Sequence, residues 1–232
     1  MGSFTFATGN AVSVATFVFI PGAGDVGWYW HLVEAELRGK GLDTLAPDLP
    51  CDDDTAGLSE YADTVLRAIG DRRELIVVAQ SLGAFTAPLV CERTPVELLV
   101  LVAGLIPQPG EAARDWWTNT GYESPSESYD EVATFYHDVP PELTAEARRR
   151  ARSQSDTPTQ EPWPLAAWPD VDTRFVLCRN DRLLPANFMR RVVRERLGIA
   201  PDEIEAGHCV ALSRPKELAE RLDAYYASRN QR

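Results

Sequence analysis

Short apolar runs alternate with amphipathic segments along most of this chain. The longer runs, such as residues 75–78 and 98–102, are continuously apolar rather than alternating, which is typical of a strand that is buried on both faces of a sheet. Strands are predicted at residues 15–20, 42–46, 75–78, 98–102, 174–178 and around 202–206. A weaker alternation at residues 4–6 indicates a further strand at the edge of the sheet.

Segments with helical spacing lie between these strands. Helices are predicted at residues 29–37, 58–69, 186–197 and 215–226, and another follows Ser81 as far as Leu89. Ser59 is the predicted N-cap of the helix at residues 58–69. Strands that alternate with helices imply crossover connections and a parallel sheet. We therefore expect an α/β fold with a mostly parallel sheet of about six to seven strands flanked by helices, and a site at the carboxyl ends of the strands.

The alternation stops between residues 107 and 169, where no strand is predicted. This region is rich in proline and acidic residues, and one helix is predicted in it at residues 145–152. Its aromatic residues are too many for a disordered segment: Trp116, Trp117, Tyr122, Tyr129, Phe135, Tyr136, Trp163 and Trp168. We therefore expect residues 107–169 to form a helical cap over the site, with residues 1–106 and 170–232 as the core. The alternative is a long, partly disordered excursion.

Chain length, net charge and the position of basic residues limit the number of domains and the kinds of partner that are expected. The 232 residues suit one domain with a decorated core, or two small domains. The formal net charge of −12 argues against a nucleic-acid partner, which needs a basic surface, and it disfavours anionic membranes. The apolar run at residues 12–20 is too short to span a bilayer, and no basic residue precedes Arg38 as a signal peptide would require.

The spacing of the four cysteines indicates the redox state of the compartment and whether a metal site is expected. Cys51, Cys91, Cys178 and Cys209 are not spaced as C-x-x-C and form no metal-ligand cluster in the sequence. Free thiols in a reducing compartment are expected, so the prediction is a cytoplasmic monomer or homodimer without a metal. A cysteine nucleophile at Cys209 is disfavoured.

One pentapeptide carries a recognisable catalytic pattern. Ala79-Gln80-Ser81-Leu82-Gly83 follows the predicted strand at residues 75–78 and opens a helix. A strand, a serine between small residues and a helix together form a nucleophile elbow, in which a strained turn exposes the serine hydroxyl. The pattern is G-x-S-x-G with Ala79 in place of the first glycine, and alanine is small enough for the turn. The alternative is an ordinary strand–helix turn that contains a serine.

A serine nucleophile needs a base, and the base needs an orienting acid. His208 follows the last predicted strand, which places it at the same edge of the sheet as Ser81. Asp181 follows the preceding strand, again at a carboxyl end. Serine, aspartate and histidine then occur in the chain order expected for a nucleophile elbow. The alternatives are a surface-loop histidine and a turn aspartate that pairs with Arg179 or Arg182.

An oxyanion hole needs two converging N–H donors. One candidate is the backbone N–H of Leu82, at the start of the helix after the elbow. The other is that of Ala23, in the loop after the first long strand, where Gly22 lets the backbone approach closely. Residues 22–27 also match the dinucleotide pattern G-x-G-x-x-G. The aromatic residues at 28–30 would crowd a pyrophosphate there, so no cofactor is expected.

With these residues in place, the chain resembles the α/β-hydrolase superfamily, and within it the small capped esterases grouped with plant methylesterases and hydroxynitrile lyases. The resemblance covers nearly the whole chain outside residues 107–169. It rests on Phe19-Ile20-Pro21-Gly22-Ala23-Gly24 with Trp28 and Trp30, Ala46-Pro47-Asp48-Leu49-Pro50, the elbow, Asn180-Asp181, Gly207-His208 and Leu212-Ser213-Arg214-Pro215. Relatives usually carry a histidine at the position of Pro21, where its imidazole braces the loop.

The resemblance implies an α/β-hydrolase fold and a serine hydrolase that cleaves a small carboxylic ester through an acyl-enzyme. By the same resemblance, Ser81 is the nucleophile and His208 is the general base and then acid. Asp181 is the orienting carboxylate, and Ala23 and Leu82 form the oxyanion hole.

Aromatic residues of the cap are expected to form an apolar pocket over Ser81 for a small-molecule ester. The predicted pocket residues are Trp28, Trp116, Phe135, Tyr136 and His137. Two other functions stay open: a carbon–carbon lyase of the hydroxynitrile-lyase type, and a non-catalytic ligand receptor on the same fold. The lyases of this resemblance use a lysine close to the catalytic histidine, whereas the nearby lysine here is Lys216 on the final predicted helix.

Overall fold

The computed structural model of the protein describes residues 15–124 and 130–229, and in these ranges it forms one parallel sheet of six strands. The strands are β1 (Thr16–Ile20), β2 (Asp43–Leu45), β3 (Leu75–Gln80), β4 (Leu98–Val102), β5 (Thr173–Cys178) and β6 (Asp202–Ile204). They run parallel in the order β2-β1-β3-β4-β5-β6. The predicted α/β fold is therefore confirmed. The strand expected at residues 4–6 and the aromatic residue Tyr129 lie outside the described residues.

Both faces of the sheet are covered at its centre, which explains why β1, β3 and β4 are almost continuously apolar. Along β1, Phe17 and Phe19 pack into the core on one face, whereas Val18 and Ile20 pack into the core on the other. Phe19 stacks on Trp30 with ring centroids 4.7 Å apart. The segment after the first loop is thereby held against the sheet.

Helices connect the strands and form much of the segment between β4 and β5. They are the 3₁₀ turn Gly27–Trp30, α1 (His31–Gly39), α2 (Leu58–Ile69), α3 (Gly83–Arg93), α4 (Trp116–Asn119), α5 (Glu131–Phe135), α6 (Pro141–Arg150), α7 (Thr157–Gln160), α8 (Ala186–Leu197), α9 (Val210–Ser213) and α10 (Pro215–Arg229). The helices predicted at residues 58–69 and 186–197 have the predicted bounds. The helix predicted at residues 145–152 begins earlier, at Pro141, because proline suits a first helical turn, where its missing N–H has no intrahelical partner to lose.

The start of α2 differs from the expectation. Gly57 rather than Ser59 is its N-cap residue, with an extended backbone (φ −99°, ψ −166°). Glu60 accepts a hydrogen bond from the Gly57 N–H at 2.9 Å, and Glu161 accepts one from the Leu58 N–H. Two carboxylates therefore satisfy the first N–H groups, and Ser59 lies exposed inside the first turn.

Residues 107–169, hereafter the insertion, contain α4 to α7 and lie between β4 and β5. Glu111 of the insertion forms a buried ion pair with Arg196 of α8, with Oε1 and Nη2 2.8 Å apart. Trp163 donates its indole N–H to the Phe85 carbonyl of α3 at 3.0 Å. Buried polar contacts thus attach the insertion to the sheet and its helices, while its separation as a cap at residues 107 and 169 stays a prediction.

Among residues 15–124 and 130–229, no helix is long and apolar enough to cross a membrane. Over the same residues, no group of three or more histidine, cysteine or acidic side chains is placed to hold a metal ion. Cys51, Cys91, Cys178 and Cys209 are free thiols.

Candidate active site

Ser81 stands at a strained turn between β3 and α3. Its φ of +50° lies in the left-handed region, which a non-glycine residue adopts only at an energetic cost. A Cβ at Gly83 would lie 2.6 Å from the carbonyl oxygen of Pro21, so only glycine fits there. Ala79, in contrast, is accommodated with its side chain fully buried in β3. The turn therefore has the geometry of a nucleophile elbow with alanine in the first small position.

His208 and Asp181 meet at the carboxyl ends of β6 and β5. The imidazole Nδ1 lies 2.7 Å from Oδ2 of Asp181, and both side chains are almost completely buried. The other carboxylate oxygen, Oδ1, accepts the backbone N–H groups of Leu183 and Leu184 at 2.8 and 2.9 Å. Because an ionised carboxylate only accepts hydrogen bonds, Nδ1 carries the proton in this pair and Nε2 is left as the basic nitrogen.

The insertion holds the loop that carries His208. Asp138 accepts the backbone N–H of Gly207 at 2.7 Å through Oδ2. A Cβ at position 207 would lie 2.5 Å from Asp138 Oδ1 and 2.7 Å from His137 Nε2, so glycine is required where these two side chains approach. Gln80 Nε2 donates to the His208 carbonyl at 3.5 Å. Sequence reasoning missed Asp138 and Gln80, because no motif links these distant positions to the histidine.

The loop after β1 lies directly against the elbow. A Cβ at Gly22 would stand 2.3 Å from Oε1 of Gln80 and 3.1 Å from the Cβ of Ser81. Ala23 and Leu82 line the same cavity as Ser81. Within the described residues, neither the Ala23 nor the Leu82 backbone N–H donates to another group of the protein. These two donors are thus available to an oxygen next to Ser81.

The insertion also braces this loop, in which Pro21 stands where the resemblance implies a histidine. The Gly24 N–H donates to Oε1 of Gln154 at 3.0 Å. The Gly24 carbonyl accepts the backbone N–H of Arg152 at 2.8 Å. Hydrogen bonds from outside the core therefore hold the loop without an imidazole at position 21.

Ser81 opens into a cavity of about 620 Å³, a volume in the range of small-molecule sites. His208, Ala23 and Leu82 line it with Ser81. Its apolar wall is formed by Leu82, Leu105, Ala113, Trp117, Phe135, Tyr136, Ala151 and Leu183. Most of these side chains come from the insertion, which therefore contributes the larger part of the apolar wall.

The aromatic residues predicted for the pocket divide into two groups. Phe135 and Tyr136 line the cavity, and the Phe135 ring meets the His208 ring edge-on with centroids 5.3 Å apart. Trp28, Trp116 and His137 are not among the lining residues.

Trp28, Trp116 and His137, which do not line the cavity, each contact another part of the protein. Trp28 stacks on His31 with ring centroids 4.3 Å apart. Trp116 is fully buried and donates its indole N–H to the Ile106 carbonyl at 2.9 Å, so its neighbour Trp117 faces the cavity instead. His137 Nε2 donates to the carbonyl of Asn180 at 3.0 Å. Hydrophobicity alone does not distinguish a ring that faces a cavity from one that packs in the core.

Asp25 also lines the cavity, and sequence reasoning did not single it out. Burial raises the pKa of its carboxyl to about 6, and the nearby His208 and Glu131 make smaller contributions that lower and raise this pKa, respectively. An acidic residue two positions after the proposed oxyanion donor was a signal that could have identified it. Cys209 lines the cavity as well, and burial raises the pKa of its thiol well above the ordinary value, so it stays protonated at neutral pH.

A model of the alpha/beta hydrolase family matches residues 17–221, so this chain belongs to that family. Norfluorocurarine synthase 1 from Strychnos sp is 22% identical over 249 residues, which cover 89% of this chain and 93% of that protein. Methylesterase 18 from Arabidopsis thaliana is 31% identical over 106 residues, 40% of each chain. The crystal structure of polyneuridine aldehyde esterase has a TM-score of 0.78 at 16% identity, covering 92% of this chain and 99% of that chain. The predicted resemblance to hydrolases of the plant methylesterase group is thereby confirmed.

Proposed function

We propose that this protein is a serine esterase that cleaves a small carboxylic ester through an acyl-enzyme. The observation that carries the proposal is the 2.7 Å hydrogen bond between His208 and Asp181, in a cavity that His208 shares with Ser81. The positive φ of Ser81 is the strained conformation that a nucleophile elbow uses. The esterases among the similar proteins support the reaction type.

In the proposed acylation, Nε2 of His208 takes the hydroxyl proton of Ser81 while the serine oxygen attacks the ester carbonyl carbon. Asp181 stays ionised and stabilises the imidazolium that forms. The N–H groups of Ala23 and Leu82 donate to the developing oxyanion. The imidazolium then protonates the departing alcohol. In deacylation, His208 takes a proton from water, the hydroxide attacks the acyl carbon, and the carboxylic acid leaves as Ser81 is restored.

The cavity supports a small and largely apolar ester as substrate. Its wall contains the rings of Trp117, Phe135 and Tyr136, which offer apolar contact to an acyl or alcohol group. The edge-on contact between Phe135 and His208 covers one side of the imidazole. These insertion residues support the proposal that the insertion acts as a cap over the reaction.

The lyase and receptor alternatives have less support. The residue after His208 is the buried Cys209, and Lys216 lies exposed on α10, outside the cavity lining. No lysine is thus available in the described cavity wall to hold a departing anion. A receptor would bind a small molecule in the cavity without turnover, which the experiment below detects.

Hydrolysis of p-nitrophenyl butyrate by the wild type and by Ser81→Ala tests the proposal. We expect turnover by the wild type, loss of at least about 10³-fold in kcat for the variant, and a fluorophosphonate label located on Ser81 by mass spectrometry. Ser59→Ala is the matched control, because Ser59 is an exposed serine in α2 and should leave both readouts unchanged. A folded wild-type protein with neither turnover nor label would refute the esterase, and ligand binding without turnover would favour the receptor.

A further inference from the structure

Asp25 is a carboxyl group of the cavity that the ester mechanism does not use. Its backbone N–H donates to the Gly22 carbonyl at 3.3 Å, so the loop turns and the Asp25 side chain starts beside the proposed oxyanion donor Ala23. The residue is partly buried and lines the cavity together with Ser81 and His208. Within the described residues, no hydrogen bond or ion pair engages its carboxyl group.

The other charged side chains of the cavity wall have partners within the protein. Glu131 pairs with Arg148 at 3.2 Å, and Arg152 pairs with Asp48 at 2.8 Å. Arg114 is exposed and lies 3.7 Å from the carboxylate of Asp115. Among the charged residues of the described wall, Asp25 is therefore the one that lacks a counter-ion.

A carboxylate in this position attracts a cation strongly, because the cavity shields it from bulk water. Burial raises its pKa to about 6, so it is still mostly ionised at pH 7.5. The titratable groups that act on it or that it acts on are His208, Glu131, Tyr29, Tyr136, Cys51 and Cys209. Burial raises the pKa values of the two tyrosines and the two cysteines, so these groups are neutral there and none is a counter-ion for Asp25.

We propose that Asp25 recognises a positively charged nitrogen of the substrate, so that the preferred esters carry an ammonium group in their acyl or alcohol part. Aromatic rings on the same wall suit this class of ligand, since the electron-rich face of a ring such as Tyr136 attracts an ammonium group. The inference rests on the proposed esterase activity, because it names the class of ester that the cavity selects.

Pairs of substrates that differ only in charge test this proposal. The acyl-side pair is p-nitrophenyl 4-(trimethylammonio)butanoate and its neutral isostere p-nitrophenyl 5,5-dimethylhexanoate. The alcohol-side pair is butyrylcholine and 3,3-dimethylbutyl butyrate. We expect the wild type at pH 7.5 to prefer the charged member by about 10- to 100-fold in kcat/KM in at least one pair. In Asp25→Asn this preference should fall to within about threefold of unity.

The ratio of kcat/KM between the charged and the neutral substrate of a pair reports recognition of the charge separately from changes in overall activity. His208 performs the same proton transfers for both members of a pair, so a change in the rate of those transfers cancels in the ratio. Below pH 6 the wild-type preference should decline, because Asp25 becomes protonated while the trimethylammonium charge stays. The control is Asp63→Asn, which removes an exposed carboxylate on α2 that pairs with Arg93 and should keep the preference although one negative charge is lost.

Several outcomes overturn the proposal. The first is a kcat/KM ratio near unity in the wild type for both substrate pairs. The second is a preference for the charged substrate that survives in Asp25→Asn and Asp25→Ala. The third is an equal loss of kcat on both substrates of a pair in these variants, which would mean that Asp25 acts on the imidazolium of His208 instead. Circular dichroism and thermal unfolding establish that the variants are folded.

A binding measurement covers the case in which no ester is hydrolysed. Calorimetry then compares 4-(trimethylammonio)butyramide with 5,5-dimethylhexanamide on the wild type and on Asp25→Asn. Tighter binding of the cation that depends on Asp25 would support the recognition of ammonium although the esterase proposal had failed. Equal binding of the two amides would overturn it.

Discussion

The change of Asp181 to asparagine tests the proposed triad by replacing one carboxylate oxygen with an NH₂ group. The two oxygens of Asp181 have different partners. Oδ2 faces Nδ1 of His208 at 2.7 Å, whereas Oδ1 accepts the N–H groups of Leu183 and Leu184 at 2.8 and 2.9 Å. Asparagine has one acceptor oxygen, so it can satisfy only one of these sites. Two backbone donors hold the oxygen at the Oδ1 position, and the NH₂ group must then face His208.

The size of the expected fall in kcat follows from the imidazole tautomer that the NH₂ group of asparagine imposes on His208. An NH₂ group that donates to Nδ1 shifts the ring proton to Nε2, the nitrogen that must accept the proton of Ser81. Turning the amide around instead leaves buried backbone N–H groups facing an NH₂ group, at a cost of about 1–3 kcal/mol for each unpaired group. Together with the lost carboxylate charge, we expect kcat to fall about 10³- to 10⁴-fold, or about 4 to 5.5 kcal/mol of transition-state stabilisation.

The assay is the steady-state hydrolysis of p-nitrophenyl butyrate, with the fluorophosphonate labelling rate of Ser81 as a second readout. The KM should change less than about threefold, because Asp181 is not among the cavity-lining residues. Asp63→Asn is the matched control and should retain the wild-type kcat. If folded Asp181→Asn kept kcat within about tenfold of the wild type, the argument that Asp181 sets the His208 tautomer would be refuted.

Three other variants probe the loop, the insertion and the cavity wall. Gly22→Ala places a methyl group 2.3 Å from Oε1 of Gln80, so the loop must shift and kcat should fall about 10²- to 10³-fold; a normal kcat would exclude the loop from the oxyanion hole. Glu111→Gln leaves the buried Arg196 without its counter-charge, so urea unfolding should report about 3–5 kcal/mol less stability, and a loss below about 1 kcal/mol would contradict this. Trp117→Ala removes a ring from the cavity wall, so KM should rise about 5- to 30-fold, equivalent to about 1–2 kcal/mol; an unchanged KM would show that the substrate does not touch the ring.

The elements of the sheet were predictable because local patterns determine them. A strand buried on both faces must be apolar at every position, and β4 at Leu98–Val102 has the predicted bounds for that reason. The shorter β2 and β6 contain charged residues, so their ends were less sharply marked in the sequence. The start of α2 could not be predicted, because Glu161, more than a hundred positions later, supplies one of its capping groups.

The placement of Ser81, Asp181 and His208 at one edge of the sheet was predictable for a topological reason. Each residue follows a strand, and the carboxyl ends of parallel strands lie at one edge of the sheet. In the structure His208 is hydrogen-bonded to Asp181, and His208 and Ser81 line one cavity. The same reasoning placed the loop at Ala23 beside the elbow.

The sequence by itself determined the α/β class, the succession of strands and helices along the chain and the identity of the proposed triad. These depend on local periodicity and on which residues follow strands. Only the tertiary structure decided that Trp117 and not Trp116 faces the cavity, that Asp138 of the insertion holds Gly207, and that Asp25 stands there without a counter-ion. These facts depend on how the insertion packs over the sheet. Contacts between residues far apart in the chain leave no periodic pattern, because each is set by the shape and charge of a neighbour that the local sequence does not specify.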